Sequence, residues 1–209
     1  MTPRHRHAKK GAVDYQFCPK CGGSLTLTSL KHHEPPRLVC SDCHFVFYLD
    51  PKIAAATVVP YRGGIVMVKR SVEPGFGLWV IPGGFVDRGE TPEEAAVRET
   101  YEEANLHVKV VGLLGVYSYA GPSVVVMSYL AEHVGGILKA SDESSDARAF
   151  PYARFPWKRI AFHSTVQTLR DWHASGQAGL SQGHAKPTPS KHAVPRPGFT
   201  PGPLYNRPS

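Results

Sequence analysis

The chain has 209 residues, 42% of them hydrophobic and 20% charged, with a formal net charge of +7 at pH 7. No stretch reaches the ~18 apolar residues that span a bilayer, and the N-terminus has charges but no apolar core of a signal peptide, so no membrane is expected. The positive charge does not describe the body of the chain: residues 1–11 and 174–209 hold eight of the 24 bases and no acid, leaving 16 bases against 17 acids between them.

Residues 1–13 read as a disordered basic tail. The next segment, 14–49, carries all four cysteines, as CPKC at 18–21 and CSDC at 40–43. Each pair sets two thiolates on one tight turn, and the 18 residues between the pairs suit a ribbon whose two turns close a tetrahedral four-sulfur site. Cys18, Cys21, Cys40 and Cys43 are therefore the expected ligands of a structural Zn²⁺. A redox pair or two disulfides are the alternatives; the first wants a single CxxC on a βαβ unit and the second a secreted setting. A closed four-thiolate site has no open position, so it is not a catalytic metal site. Thiols paired for zinc fit a reducing compartment, and the cytoplasm is the expected location. With Lys20, Lys31 and Arg37 against Glu34 and Asp42, the ribbon offers a thin electrostatic footprint, which argues against nucleic acid as a partner.

Residues 50–174 suit one further domain. Residues 53–60 and 65–70 read as strands joined through Arg62-Gly63-Gly64, a hairpin signal, and the apolar run Trp79-Val80-Ile81 reads as a strand leading into Gly83-Gly84. Thr91 as N-cap, Pro92 at the first helical position and Glu94 three residues after the cap predict a helix with a capping box, closed by Asn105. Val97, Thr100, Tyr101 and Ala104 gather on one side at helical spacing, with Glu99, Glu102 and Glu103 roughly opposite. Glu94 and Arg98 are spaced to pair on the surface. Carboxylates at i, i+3 and i+4 repel one another, and nothing basic is expected among them on that face. Such a face is tolerable with a hard divalent cation on it, which wants oxygen ligands. That predicts a metal-dependent enzyme of phosphate chemistry; a solvated acidic helix is the plainer reading.

Beyond the helix, residues 107–117 and 123–134 are β-rich, broken at Ala120-Gly121-Pro122, and Ala147–Tyr152 suggests a last short strand. The intervening KASDESSDAR reads as a polar turn. Residues 162–173 read as an amphipathic helix through Phe162, Val166, Leu169 and Trp172 or His173, and 175–209 as a disordered Pro-rich tail.

The segment 84–106 resembles the Nudix box, G-x5-E-x7-R-E-U-x-E-E-x-G-U, with U a bulky aliphatic residue. Gly84, Glu90, Arg98, Glu99, Glu102, Glu103 and Leu106 match it, while Thr100 replaces an aliphatic residue and Asn105 the last glycine. Neither departure removes a charge. The resemblance implies an α/β fold, the Nudix α/β/α sandwich with a mixed sheet, preceded here by a small four-cysteine zinc ribbon, the architecture of ADP-ribose, FAD and NADH pyrophosphatases.

It further implies Mg²⁺ or Mn²⁺ held by Glu99, Glu102 and Glu103 with the Gly84 carbonyl, Arg98 orienting Glu99, and Glu90 behind them. The general base would be Glu99 or a later-loop carboxylate, Glu143 or Asp142. The implied reaction is hydrolysis of a nucleoside diphosphate linked to another moiety, releasing AMP, and a homodimer is the candidate assembly. Pro122 resembles a proline position of ADP-ribose pyrophosphatases, and the NADH-type signature SQPWPFPxS is absent. Phe76 and Tyr119, with Tyr117 and Phe162, are candidates for stacking on a base, whereas His163 reads as structural. A non-catalytic nucleotide sensor is the other class, but sensors of this kind lose box carboxylates and this chain keeps all of them.

Overall fold

The computed structural model describes residues 15–120 and 123–176. Both expected tails therefore fall outside the described residues, except for Ser175 and Gly176, which end the last helix, and so does Pro122.

Three short antiparallel strands make the ribbon: β1 (Leu25–Thr28), β2 (Arg37–Cys40) and β3 (Val46–Phe47), in that order across the sheet. The larger unit holds two sheets. In one, β8 (Gly83–Phe85), β4 (Lys52–Val58), β10 (Val124–Gly136) and β9 (Leu106–Ser118) lie side by side. The β10–β4 pair is parallel and the others antiparallel, so the sheet is mixed, as expected. In the other, β11 (Ser144–Phe150), β6 (Gly64–Arg70) and β5 (Pro60–Tyr61) are neighbours, with β7 (Trp79–Val80) also on β6. Helices α1 (Pro92–Ala104) and α2 (His163–Ala174) complete the α/β fold.

The expected single strand 53–60 divides into β4 and β5, because the chain leaves one sheet for the other around Val59. Arg62 and Gly63, with φ of 47° and 83°, make the tight turn into β6, which requires positive φ at both positions. Strand β11 begins at Ser144 rather than at Ala147, so half of the expected polar turn is paired to β6.

From Ala55 to Val58 strand β4 is buried on both faces, and its small residues set how closely α1 approaches. Ala55 packs with Ala95 and Ala96 of α1 and with Tyr129, all but the last without side chains of any length. At that separation Thr57 and Thr100 share a buried hydroxyl–hydroxyl hydrogen bond of 2.7 Å. Thr100 donates to the Ala96 carbonyl at 2.6 Å, so its oxygen is left to accept from Thr57. Where the Nudix pattern has an aliphatic residue, this chain thus holds a polar pair in which each hydroxyl satisfies the other. On the opposite face Ala56, Val58 and Leu130 pack with Leu169 and Trp172 of α2, and Ser128 meets Thr168 at 2.9 Å.

Candidate active site

Helix α1 begins as its sequence requires. Thr91 Oγ1 accepts the Glu94 amide at 3.2 Å, Glu94 returns to the Thr91 amide at 2.7 Å, and Pro92 occupies the first turn. It ends at Asn105, whose φ of 55° and ψ of 34° put it in the left-handed conformation that asparagine tolerates.

Its buried side differs from expectation. Ala95, Ala96, Thr100 and Ala104 face inward, but so do Glu99 and Glu103, at 9% and 8% exposure, while Tyr101 is exposed and stacks on His107. The glutamates are therefore not opposite the core face; two of them are wedged against it. Glu94 does not pair with Arg98, because the capping box already holds it. Arg98 instead bridges Glu90 (Nη2 to Oε1, 2.7 Å), Glu99 (Nη1 to Oε1, 2.9 Å) and Glu102 (Nη1 to Oε2, 2.7 Å), and reaches the Phe85 carbonyl at 3.1 Å. The expectation that nothing basic offsets the acidic face fails on this residue.

Strand β8 brings backbone against the acids. The Gly83 amide donates to Glu103 Oε2 at 2.9 Å. A Cβ on Gly83 would overlap the backbone of Ala55 and Ala56, so that position needs glycine for close approach, whereas one on Gly84 would overlap the Glu99 carboxylate and force that side chain to move.

The segment before β11 adds Glu143. Oxygens of Glu99, Glu102 and Glu143 lie within 4.8 Å of one another. Asp142, the other later-loop candidate, is not in this group, and Glu103 is turned to the Gly83 amide. Phe76 is exposed between β6 and β7. Tyr119 meets His163 edge-on, with ring centroids 4.9 Å apart. Tyr117 is buried and donates to Asp171 Oδ2 at 3.0 Å, which ties β9 to α2 and leaves no open ring face for stacking. Phe162 sits just before α2, beneath the Arg70 guanidinium at 5.1 Å.

Burial drives the carboxyl of Glu103 up to about 7, against the Gly83 amide, with Glu99 and Glu143 adding repulsion and Arg70 opposing them. Burial likewise raises Glu99, against Arg98. Glu90 is held below the usual carboxylate range, first by Arg98 and then by the Asp87 amide. The acids also occupy the second half of α1, whose last turn holds no basic residue, and the helix dipole disfavours negative charge there. Buried like charges at the negative end of a helix are stabilised by a cation, and three carboxylates are the donor set a hard divalent ion takes.

The four cysteines form the second cluster. Their sulfurs lie within 4.8 Å of one another, with Cys18–Cys43 at 3.8 Å, Cys21–Cys40 at 3.4 Å and Cys21–Cys43 at 3.3 Å. Bonds of ~2.3 Å to a tetrahedral ion separate sulfurs by ~3.8 Å, so the group fits zinc. Both CxxC turns close alike. Gly22 and His44, at φ of 79° and 56°, return their amides to the carbonyls of Cys18 (2.9 Å) and Cys40 (3.2 Å). The Cys43 amide on the Cys40 sulfur lowers that thiol, toward the thiolate a metal needs, while against the Gly23 amide the neighbouring thiols push Cys21 up.

Arg70, Ser141 and Ser144 were not legible as neighbours of the site. Arg70 ends β6 with Nε on the Pro74 carbonyl at 2.7 Å; an arginine at a strand end carries no sequence signal of its own. The serines lay in what read as an ordinary turn.

Comparison with known proteins agrees with this geometry. The NUDIX domain family matches residues 51–171, and the Nudix N-terminal zinc-ribbon family matches residues 16–49. An ADP-ribose pyrophosphatase of Methanocaldococcus jannaschii is 39% identical over 129 residues, covering 60% of this chain and 76% of that protein. A NAD-capped RNA hydrolase (NudC) of Vibrio atlanticus is 32% identical over 143 residues, covering 68% of this chain and 51% of that protein. The chain thus spans about half the length of such relatives. A solved NUDIX hydrolase from Nitrosomonas europaea superposes with a TM-score of 0.75 at 31% identity, over 82% of this chain and 97% of that one.

Proposed function

From the premise that this chain belongs to the Nudix family and is a pyrophosphatase of that kind, we propose that it hydrolyses, with Mg²⁺ or Mn²⁺, a nucleoside diphosphate linked to a second moiety, releasing AMP and a phosphorylated product. The observation that carries this reading is the meeting of Glu99, Glu102 and Glu143 oxygens within 4.8 Å, two from one helix and one from a distant segment.

In this reading Glu99, Glu102 and Glu103 hold the divalent cation, with the Gly84 carbonyl as a further donor. The bound cation supplies neutralisation of the pyrophosphate and a more acidic attacking water. Arg98 is held by Glu90 and in turn fixes the Glu99 and Glu102 carboxylates, which limits their rotamers before substrate arrives. Gly84 leaves room for backbone to lie on the Glu99 carboxylate. Glu143, exposed at the edge of the group, accepts the proton of the attacking water. The working units are 14–49, a ribbon held by Zn²⁺ at its four cysteines, and 50–174, the hydrolase.

An ADP-ribose-like substrate has the support of the M. jannaschii relative. The relatives named NAD-capped RNA hydrolase support a second candidate, the capped 5′ end of an RNA. Phe76 and Tyr119, both exposed, are the aromatic rings offered for stacking.

The test is AMP release from ADP-ribose, FAD and NADH, and release of nicotinamide mononucleotide with a 5′-monophosphate left on the RNA from NAD-capped RNA, with Mg²⁺ or Mn²⁺, for wild type and Glu102→Gln. Turnover should fall by orders of magnitude in the variant and vanish with EDTA. Turnover indifferent to both would overturn the reading, and the substrate turned over fastest decides between the two candidates.

A further inference from the structure

The last four carbonyls of an α-helix have no partner within it. In α1 these belong to Tyr101, Glu102, Glu103 and Ala104. The Asn105 amide serves the first at 2.8 Å, and one distant segment serves the other three. Ser141 Oγ donates to the Glu102 carbonyl, Ser144 Oγ donates to the Glu103 carbonyl at 2.7 Å, and the Lys139 amide donates to the Ala104 carbonyl at 3.2 Å.

Each serine hydroxyl also accepts from its own segment. Ser141 Oγ takes the Glu143 amide at 3.3 Å, and Ser144 Oγ takes the Ser141 amide at 3.2 Å. From the other side, Ser71 Oγ, just past β6, donates to the Glu143 carbonyl at 2.7 Å. Both faces of the Glu143 backbone are thus tied, while its side chain is exposed beside Glu99 and Glu102.

We propose that Ser141 and Ser144 are positioning residues for the hydrolysis: they clamp segment 139–144 to the open end of α1 and so hold the Glu143 carboxylate in register with Glu99 and Glu102. This rests on the functional reading above. A helix end needs only some donor for its carbonyls, and water or any amide would serve. Here the hydroxyls are bonded to the carbonyls of Glu102 and Glu103, residues whose own carboxylates belong to the site. The register of the segment and the register of the carboxylates are therefore one quantity. A slip of a single residue exchanges Glu143 for Asp142, a shorter side chain outside the cluster. Ser144 is 4% exposed, so the carbonyl it serves has no ready substitute in water.

The experiment is a double-mutant cycle on turnover, with Ser144→Ala, Glu143→Gln and the pair, together with Mn²⁺ uptake by each protein. If the serine acts through Glu143, Ser144→Ala lowers turnover by about tenfold to a hundredfold, and the pair is no slower than Glu143→Gln alone. A purely structural serine would lower turnover by the same factor in both backgrounds, and that result overturns the proposal, as does a Ser144→Ala enzyme as fast as wild type. Should Ser144→Ala not fold, the same cycle with Ser141→Ala, which removes the hydrogen bond to the Glu102 carbonyl, carries the same two outcomes. A wild type that neither takes up Mn²⁺ nor cleaves any of the candidate pyrophosphates sinks the functional reading and this inference with it; a wild type that does both, with losses that multiply, sinks the inference alone.

Discussion

Gly84 lies flat on the Glu99 carboxylate, so close that a Cβ there would overlap its oxygens. The contact joins the edge strand β8 to the helix that carries the acids, and it fixes Glu99 by exclusion of volume as well as by its ion pair with Arg98. Replacing Gly84 by alanine should therefore push Glu99 out of the group it forms with Glu102 and Glu143. We expect turnover to fall about a hundredfold, since displacement of a catalytic group by an ångström has that consequence, with AMP release as the measurement. Equal turnover in Gly84→Ala would show that Glu99 need not occupy this position.

Arg98 is the counter-ion of the acidic cluster, touching Glu90, Glu99 and Glu102 at once. Arg98→Ala leaves those carboxylates facing one another with their hydrogen bonds unmade. Without divalent cation we expect a loss of about 2 kcal/mol, at the level of a hydrogen bond to a charged group and discounted for the part-exposed guanidinium. Saturating Mg²⁺ should restore more stability to the variant than to wild type, because the variant has no other cation. Urea unfolding midpoints with EDTA and with Mg²⁺ measure both quantities.

The start of α1 was legible because everything that determines it lies within four residues: Thr91, Pro92 and Glu94 cap the helix by local hydrogen bonds. The four cysteines were legible for the same reason, since each turn is closed by its own amides. Helical periodicity misread the inner face because it counts Tyr101 as core and glutamates as solvent, whereas burial of Glu103 is compensated by the Gly83 amide of β8 and burial of Glu99 by Arg98 on the same helix. The Glu94–Arg98 pairing failed because spacing ignores competition from the capping box. Ser141 and Ser144 act on carbonyls some forty residues earlier in the chain. Nothing in a polar turn announces such contacts; they follow only once β11 is paired to β6.

The ribbon should depend on its metal. Among residues 15–49 only Cys18, ahead of β1, and Cys40, at the end of β2, are buried, so the four sulfurs are its principal cross-link. Chelation, or Cys21→Ser, should release one zinc per chain and abolish the hydrogen-exchange protection of Leu25–Thr28 and Arg37–Cys40, as small zinc domains unfold without their ion. Protection of β1 and β2 that survives metal removal would mean the strands stand without it.

The pH dependence of stability should run opposite to that of an ordinary surface acid. Burial raises Glu103 from 4.5 to about 7, so the folded chain binds this proton more tightly than the unfolded chain. The resulting stabilisation is fully present below pH 4.5 and is lost as pH rises through about 7, with a span of about 3 kcal/mol at 1.36 kcal/mol per unit. Glu99 is raised in the same sense. In EDTA, wild type should therefore lose stability relative to Glu103→Gln between pH 4.5 and 7. Mg²⁺ favours the ionised carboxylates and should offset the loss, so the stabilisation it confers grows across the same interval. Thermal melts of the two proteins at half-unit pH steps, with and without Mg²⁺, give the curves directly. An EDTA difference that is flat or rising with pH would mean that the Glu103 carboxyl ionises in the fold as readily as in water.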